Sequence, residues 1–481
     1  MSDAWAAHGF TGTAADLVAS GSLPRAWAAR WAADPSAPAL AGADGRWVTN
    51  AALEERSAAV AGRFAAAGLV AGDRLLMSAA PSVDLAVAHV AALRLGLTVV
   101  PVNTAFAPAE VANVAAVAAP KLAVLDDPSR LQGVPSTGPT AEDLPGGPVP
   151  ELDAAAPADI GLLVFTSGTT GTPKGVPLTH ANLLASSASV GHAWRWTAAD
   201  RLVLALPLFH VHGLGVGLHG TLLAGASSVI LPAFDVDAVL DAVATTGASL
   251  LFGVPTMWVR FAASPRVAEL GTLRLCVSGS APLDPGTFDA LAARIGSPVL
   301  ERYGMTETGM LVSNPYEGER KAGSVGLPLP GVELRLDDGE ITVRGPNVFG
   351  GYLEPVEGAF TDDGWFRTGD LGRLDEDGHL RIVGRSKELI ITGGYNVYPR
   401  DVEEVLRAHP TVGDVAVAGA PDAEWGEQVV AYVVPEGPFD ADAVLSWAAD
   451  RLAPYQRPRR IVMLDELPRN ALGKVVRSAL R

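Results

Sequence analysis

The chain has 481 residues, 48% hydrophobic and 19% charged, a globular balance that excludes disordered and fibrous classes. Its single cysteine, Cys276, excludes an intrachain disulfide and a cysteine-rich zinc site, and at about 150 residues per domain the length allows roughly three lobes held by their cores alone. A formal charge of −17 argues against a surface that tracks nucleic acid or anionic lipid, so an anionic ligand has to meet a local basic patch.

In chain order, the opening residues MSDAWAAHGF place Asp3 ahead of any apolar core and show no basic stretch, so no secretory leader is expected and a cytoplasmic setting fits best. Residues 50–67 carry apolar side chains at helical spacing among Glu54, Glu55 and Arg56, whereas 74–77 and 97–102 read as buried strands. The apolar stretch 85–100 is interrupted by His89 and Arg94 and stops at Pro101, too short and too polar to span a bilayer. At 126–150 the composition shifts to Asp, Pro, Gly, Ser and Thr, the mark of a loop between subdomains. Apolar runs at 160–165, 201–206, 227–231, 249–252 and 273–277, with helical stretches between several of them, complete an α/β pattern of largely parallel sheets flanked by helices. Past Gly331, short alternating strands at 333–336 and 340–343, with Asp-Gly pairs at 338, 363 and 377, predict a small β-rich lobe. From Lys387 a strand, a loop, a helix over 399–409, further strands and a helix near 441–453 predict a compact α+β unit. The boundary is expected at Arg385, dividing the chain into 1–385 and 386–481.

The most informative stretch is LLVFTSGTTGTPKG at 162–175, a buried strand running into a loop of glycines and hydroxyls that ends on a lysine. Such a loop suits a polyphosphate: glycines let backbone N–H groups approach, Thr166, Ser167, Thr169 and Thr170 donate hydrogen bonds, and Lys174 adds a mobile charge. It is not a Walker P-loop, because Pro173 precedes the lysine and Gly175 follows it. Elsewhere Tyr303 offers an aromatic face, Glu307 a hard oxygen donor, and Asp370, in a Gly-flanked turn, a hydrogen-bond acceptor. GVGLHG at 215–220 fits G-x-G-x-x-G and is followed by Asp235, so a nicotinamide-dependent oxidoreductase is kept as a distant alternative.

The loop resembles the phosphate loop of the adenylate-forming superfamily of acyl-CoA synthetases, adenylation domains and luciferases. YGMTET at 303–308, TGD at 368–370, GRSK at 384–387, GGYNV at 393–397 and PRNALGK at 468–474 match further family motifs in order. The resemblance spans nearly the whole chain and implies an AMP-forming acid-thiol ligase with ATP, Mg²⁺ and coenzyme A. It implies ATP contacts from Thr166, Ser167, Gly168, Thr169, Thr170, Gly171 and Lys174, and from Ser280, Ala281, Pro282, Glu301, Arg302, Tyr303, Gly304, Met305 and Thr306. Asp370 and Arg385 are implied at the ribose, Thr166 and Glu307 at Mg²⁺, and Gly393, Gly394 and Tyr395 in the thiol channel. Lys474 lies in a basic segment whose only acids are Asp465 and Glu466, and is implied to neutralise charge as carboxylate meets α-phosphate. The small C-terminal domain is implied to rotate about Lys387 between the two half-reactions.

The acid is read from Ser278, Gly279, Arg302, Met305 and from His210 in LPLFHVHG, at the positions that border the family's acyl pocket; His210 is also a catalytic candidate. An arginine at 302 is costly to leave unpaired in a pocket, and a second carboxylate on the substrate would satisfy it, which selects a short dicarboxylic acid. The surrounding ERYGMTE is similar to malonyl-CoA synthetases, so malonate is the expected acid, with methylmalonate admitted beside the flexible Met305. The alternatives are that Arg302 pairs with Glu301 or another acidic residue in a neutral pocket, and that another short acid is used. The sequence runs only a short way past Lys474, so the thiol is expected from a separate molecule, coenzyme A first, a carrier protein second. The arginines at 457, 459, 460 and 477 are candidate partners for its phosphates. No nucleic acid or membrane partner is expected.

Overall fold

The computed structural model describes residues 2–166, 173–422, 424–469 and 475–480. They fall into two compact units, one made of Met1–Leu334 and Val343–Phe366, the other of Arg335–Thr342 and Arg367–Arg481. This division by packing differs from the boundary expected at Arg385, because the strands Phe366–Leu374 and Leu380–Arg385 are antiparallel partners and Thr368 donates to the Ile341 carbonyl at 2.7 Å. Among the described residues no helix is long and apolar enough to cross a membrane.

The first unit is built on two sheets. In one, the strands Ser136–Thr137, Leu122–Leu125, Arg74–Ser78, Thr98–Pro101 and Ile160–Thr166 run parallel in that order, and Lys174–Thr179 closes the edge antiparallel. In the other, a parallel core of Leu300–Met305, Leu275–Ser278, Leu250–Gly253, Arg201–Leu204, Ser227–Ile230 and Pro38–Ala41 carries antiparallel strands at both edges. The apolar runs read as strands lie here, buried on both faces as parallel strands must be: Leu75, Leu76, Val99, Val100, Leu202 and Val203 have no exposed surface. The helix predicted over 50–67 forms as Asn50–Ala66, started by Thr49 accepting from the Ala52 N–H.

The 85–100 stretch resolves into a helix, Val83–Arg94, and the strand Thr98–Pro101. Its two polar interruptions are buried in pairs: Arg94 bonds Asp153 at 2.9 Å, and the His89 and His219 ring nitrogens lie 2.8 Å apart. In such a pair one ring donates and the other accepts, which two imidazolium rings cannot do. Burial holds His89 down to about 3 and His180 to about 4, and keeps His219 well below the ordinary histidine range. These groups take up protons in the unfolded chain near 6.5 but resist it when folded, so stability is full above that pH and falls as pH drops through the window between 6.5 and 4. Each histidine should remove about 1.4 kcal/mol per pH unit there. Urea midpoints measured between pH 7.5 and 5 should fall accordingly, and a flat profile would contradict the pairing.

The second unit places Tyr395–Val397, Ile390–Thr392, Gly426–Pro435 and Val412–Asp422 in one sheet, with Arg460–Met463 parallel to Gly426–Pro435. The helices Pro399–Arg407 and Ala441–Ala449 supply Val402, Leu406 and Val444 to a core shared with Val415, Val417, Ala431 and Val433.

Candidate active site

The stretch that reads as a phosphate loop sits at the mouth of a hairpin. Ile160–Thr166 and Lys174–Thr179 pair antiparallel, with Thr166 opposite Lys174, so the two candidates face each other across the ladder. Ser167, Gly168, Thr169, Thr170 and Gly171 lie outside the described residues. The returning strand has little signal of its own in the sequence, since Pro177 interrupts it. A segment distant in sequence docks on this hairpin: the Leu353 N–H donates to the Gly175 carbonyl at 2.8 Å, and the Lys174 ammonium stands 5.3 Å from the centre of the Tyr352 ring. The Tyr352 hydroxyl donates to Glu307 Oε1 at 3.0 Å. Burial, and after it the Glu307 charge, pushes the Tyr352 phenol up, so that it stays a donor. Lys174 and Glu307 are thus gathered around one tyrosine that sequence reasoning missed; its only local signal is the Gly350-Gly351 turn before it.

The acyl candidates converge where Leu275–Ser278 lies parallel to Leu300–Met305, with Ser278 opposite Glu301. Neighbouring residues of a strand point to opposite faces, which separates Glu301 from Arg302. The Glu301 carboxylate accepts from the Leu283 N–H at 3.1 Å and the Gly323 N–H at 3.3 Å, on the face away from Arg302. The alternative in which the two residues pair is therefore not what the chain does. Arg302 is 4% exposed, and neither Nε nor Nη2 has a hydrogen-bond partner among the described residues. Its guanidinium lies against Gly279, where a Cβ would come 2.4 Å from Cζ, so only glycine leaves room for it. Burial pulls the guanidinium down to about 9, still protonated at neutral pH.

Beside this cation stands a second buried group: His212 Nε2 has no partner among the described residues, while its Nδ1 lies 3.4 Å from Ser280 Oγ. Ser278 Oγ has none there either, but Ser278 is in register with Glu301 and so shares its face of the sheet, opposite Arg302. Burial, and after it the Arg302 charge, keeps His212 far below the ordinary range and neutral. His210 is half-buried beside it, its Nδ1 accepting from the His212 N–H at 3.2 Å. Past Gly279 the chain turns through Ser280, held at φ 72°, and through half-buried Ala281 to exposed Pro282. Tyr303 (opposite Val312), Gly304 and Met305 (opposite Gly309) are half-buried along the same strand, as is Thr306 in the turn after it. The sequence passed over His212 because a histidine in an apolar stretch is more often a packing residue.

In the second unit Asp370 and Arg385 are cross-strand partners and bond at 3.0 Å, with Asp370 buried and Arg385 exposed. Lys387 is exposed in the turn Ser386–Glu388. Gly393 and Gly394 have φ of 56° and 82°, and Gly393 is packed under Trp425, where a Cβ would clash at 2.5 Å. Tyr395 is exposed and stacks on Tyr455 with ring centres 4.6 Å apart. Lys474 lies outside the described residues.

The dinucleotide alternative is corrected by the backbone. His212–His219 is a wide π-type helix running directly into Gly220–Ala224, so 215–220 is not a strand-to-helix turn that could cradle a pyrophosphate. Its glycines make room for neighbours: a Cβ on Gly217 would meet Leu204 at 2.7 Å, and one on Gly220 would meet Trp196 at 2.7 Å.

Comparison with known proteins accords with this arrangement. The family described as AMP-binding enzyme matches residues 27–353, and its AMP-binding enzyme C-terminal domain matches 401–474. The malonate–CoA ligase of Arabidopsis thaliana is 37% identical over 67% of this chain and 60% of its own length. The sulfoacetate–CoA ligase of Cupriavidus necator is 36% identical over 94% of this chain and 95% of its own. The crystal structure of ATP-bound MatB from Rhodopseudomonas palustris superposes with a TM-score of 0.88 at 39% identity, covering 95% of this chain and 98% of that one. The chain thus spans about 60% of the length of the plant ligases it matches, and nearly all of the Cupriavidus and Rhodopseudomonas proteins.

Proposed function

The chain belongs to the AMP-binding enzyme family of adenylate-forming proteins, and on that premise we propose that it is an AMP-forming acyl-CoA ligase whose acid is malonate, with methylmalonate as a second substrate and the cytoplasm as its setting. The observation that carries the choice of acid is Arg302, a buried cation with two nitrogens unpartnered among the described residues, beside His212 Nε2, which has no partner among them either. A buried charge without a counter-ion is unfavourable by several kcal/mol, at least about 3 on mutational scales, and a carboxylate at the far end of the substrate relieves it. The far end then anchors on Arg302 while the near carboxylate is presented to ATP.

The chemistry needs no protein nucleophile. The near carboxylate attacks the α-phosphorus of ATP and pyrophosphate leaves; the sulfur of coenzyme A then attacks the acyl carbonyl and AMP leaves. Positioning and charge neutralisation supply the rate. On this reading Lys174 and the loop from Thr166 to Gly171 hold the phosphates, and Tyr303 covers the adenine with Ser280, Ala281, Pro282 and Glu301 to Thr306 around it. His210 borders the acyl group, and Lys474 bridges substrate carboxylate and α-phosphate. In the second unit Asp370 and Arg385 take the ribose, Lys387 is the hinge, and Gly393, Gly394 and Tyr395 line the path of the thiol.

The donor set fits a hard cation, since Glu307 is buried and the hydroxyl of Tyr352 orients one of its oxygens. Bound by Glu307 and Thr166, Mg²⁺ would neutralise phosphate charge. Tyr352→Phe keeps the ring beneath Lys174 but removes that orienting bond, and should raise the Mg²⁺ concentration needed for half-maximal rate by about tenfold or more. An unchanged Mg²⁺ requirement would contradict the placement of the ion.

A panel of acids tests the function: acetate, malonate, methylmalonate, succinate, sulfoacetate and a long fatty acid, each assayed for ATP- and CoA-dependent AMP release. Malonate should give the highest kcat/KM, followed by methylmalonate. A preference for sulfoacetate would keep Arg302 as the anchor and change the anion, whereas a preference for acetate or the fatty acid would overturn the reading. Replacing CoA by a phosphopantetheinylated carrier protein in the same assay decides the acceptor.

A further inference from the structure

We propose that Arg477 is a positioning residue for the adenylation half-reaction, locking the segment that follows Lys474 onto the turn that carries Lys387. The inference rests on the reading of Lys474 as the adenylation lysine. Its own support is the geometry of described residues in the second unit.

The Arg477 guanidinium spreads over three acceptors. Nη1 donates to Glu388 Oε2 at 2.8 Å, Nη2 to Glu403 Oε1 at 2.7 Å, and Nε to the Val417 carbonyl at 3.2 Å. The same Glu403 oxygen accepts from the Val417 N–H at 2.8 Å, so guanidinium, carboxylate and the backbone of Val417 close a ring of hydrogen bonds. Glu403 is 6% exposed, which sets this apart from a solvated surface pair of little worth. A basic residue kept only for solubility would extend into water rather than engage all three of its nitrogens.

The ring joins three elements. Glu388 closes the turn Ser386–Glu388, next to Lys387; Glu403 lies on the helix Pro399–Arg407; Val417 lies on the strand Val412–Asp422. The chain is held again just ahead of Arg477, where Val475 bridges to Arg469, the Val476 N–H donates to the Pro468 carbonyl at 2.8 Å, and Arg469 bonds Asp414 at 2.6 Å. The backbone is therefore pinned on both sides of residues 470–474, and Arg477 fastens that pin to a helix and to the hinge turn. A lysine ammonium rides on a long flexible stem, so where it arrives depends on where its backbone is held, and a misplacement of about 1 Å can cost 10²-fold in rate.

The test uses Arg477→Ala, Arg477→Lys and Glu388→Gln in the full chain, beside Lys474→Ala. ATP–pyrophosphate exchange with malonate reads the first half-reaction, and AMP release from synthetic malonyl-adenylate with CoA reads the second. Arg477→Ala should lower exchange by about 10- to 100-fold while leaving AMP release nearly unchanged. Arg477→Lys should recover little, because one ammonium cannot serve three acceptors in a planar fork, and Glu388→Gln should fall between it and wild type. Should Arg477→Ala prove unfolded by thermal melting, the lysine and glutamine variants decide on the same ratio. Equal losses in both halves, or intact exchange in folded variants, would overturn the proposal. If wild type shows no exchange with malonate, or Lys474→Ala leaves exchange intact, the functional reading beneath it fails instead.

Discussion

Lys474→Ala is expected to abolish adenylate formation while sparing the second half-reaction. When the acid attacks, one anion approaches another at the α-phosphorus, and the transition state carries more negative charge around that atom than the bound reactants do. A positive group placed there stabilises the transition state more than the ground state, and removing one such group costs about 10²–10³ in rate. Thioester formation discharges AMP from an adenylate already made, and the account gives Lys474 no part in it. Pyrophosphate exchange should therefore collapse while AMP release from synthetic malonyl-adenylate and CoA stays within a small factor of wild type. Equal loss of both activities in a folded variant would show that Lys474 serves structure or both steps.

Arg302→Ala carries the second large effect, and it acts on the choice of acid. Truncating one partner of a buried, hydrogen-bonded charge pair costs about 2–5 kcal/mol, so kcat/KM for malonate should fall by about 10²–10³. Monocarboxylates of similar length never engaged the guanidinium, so they should lose little and rise in relative preference. Because Arg302 has two unpartnered nitrogens in a buried setting, its removal should not lower the melting temperature of the ligand-free protein. Saturating malonate should raise the melting temperature of wild type and leave that of the variant where it was. An unchanged acid profile would remove the dicarboxylate argument altogether.

Much of the fold was legible because parallel strands buried on both faces must be continuously apolar: 74–77, 160–165 and 249–252 announce themselves without help from distant residues. What failed is what depends on long-range pairing. His89 and Arg94 read as flaws in an apolar run, yet one packs on His219 and the other on Asp153, partners no window of local sequence contains. The strand Lys174–Thr179 forms because Ile160–Thr166 offers it an edge, in spite of Pro177.

The site divides in the same way. Motifs with dense local chemistry, such as the glycine and hydroxyl loop and the arginine ahead of Tyr303, were visible as sequence. Tyr352 was not, since its role comes from Glu307 and Lys174, each distant in the chain. His212 shows in the sequence only as a histidine in an apolar stretch, and what marks it is a nitrogen beside Arg302 with no partner among the described residues. The G-x-G-x-x-G pattern misled for the complementary reason: its glycines answer to Leu204 and Trp196, a steric need that produces the same letters as a nucleotide turn.

The most direct test of the central claim is a crystal structure of the enzyme with a non-hydrolysable malonyl-adenylate. The distal carboxylate should lie within hydrogen-bond distance of Arg302 Nε and Nη2, with His212 beside it. A distal carboxylate held elsewhere, with Arg302 bonded to a protein carboxylate, would contradict it.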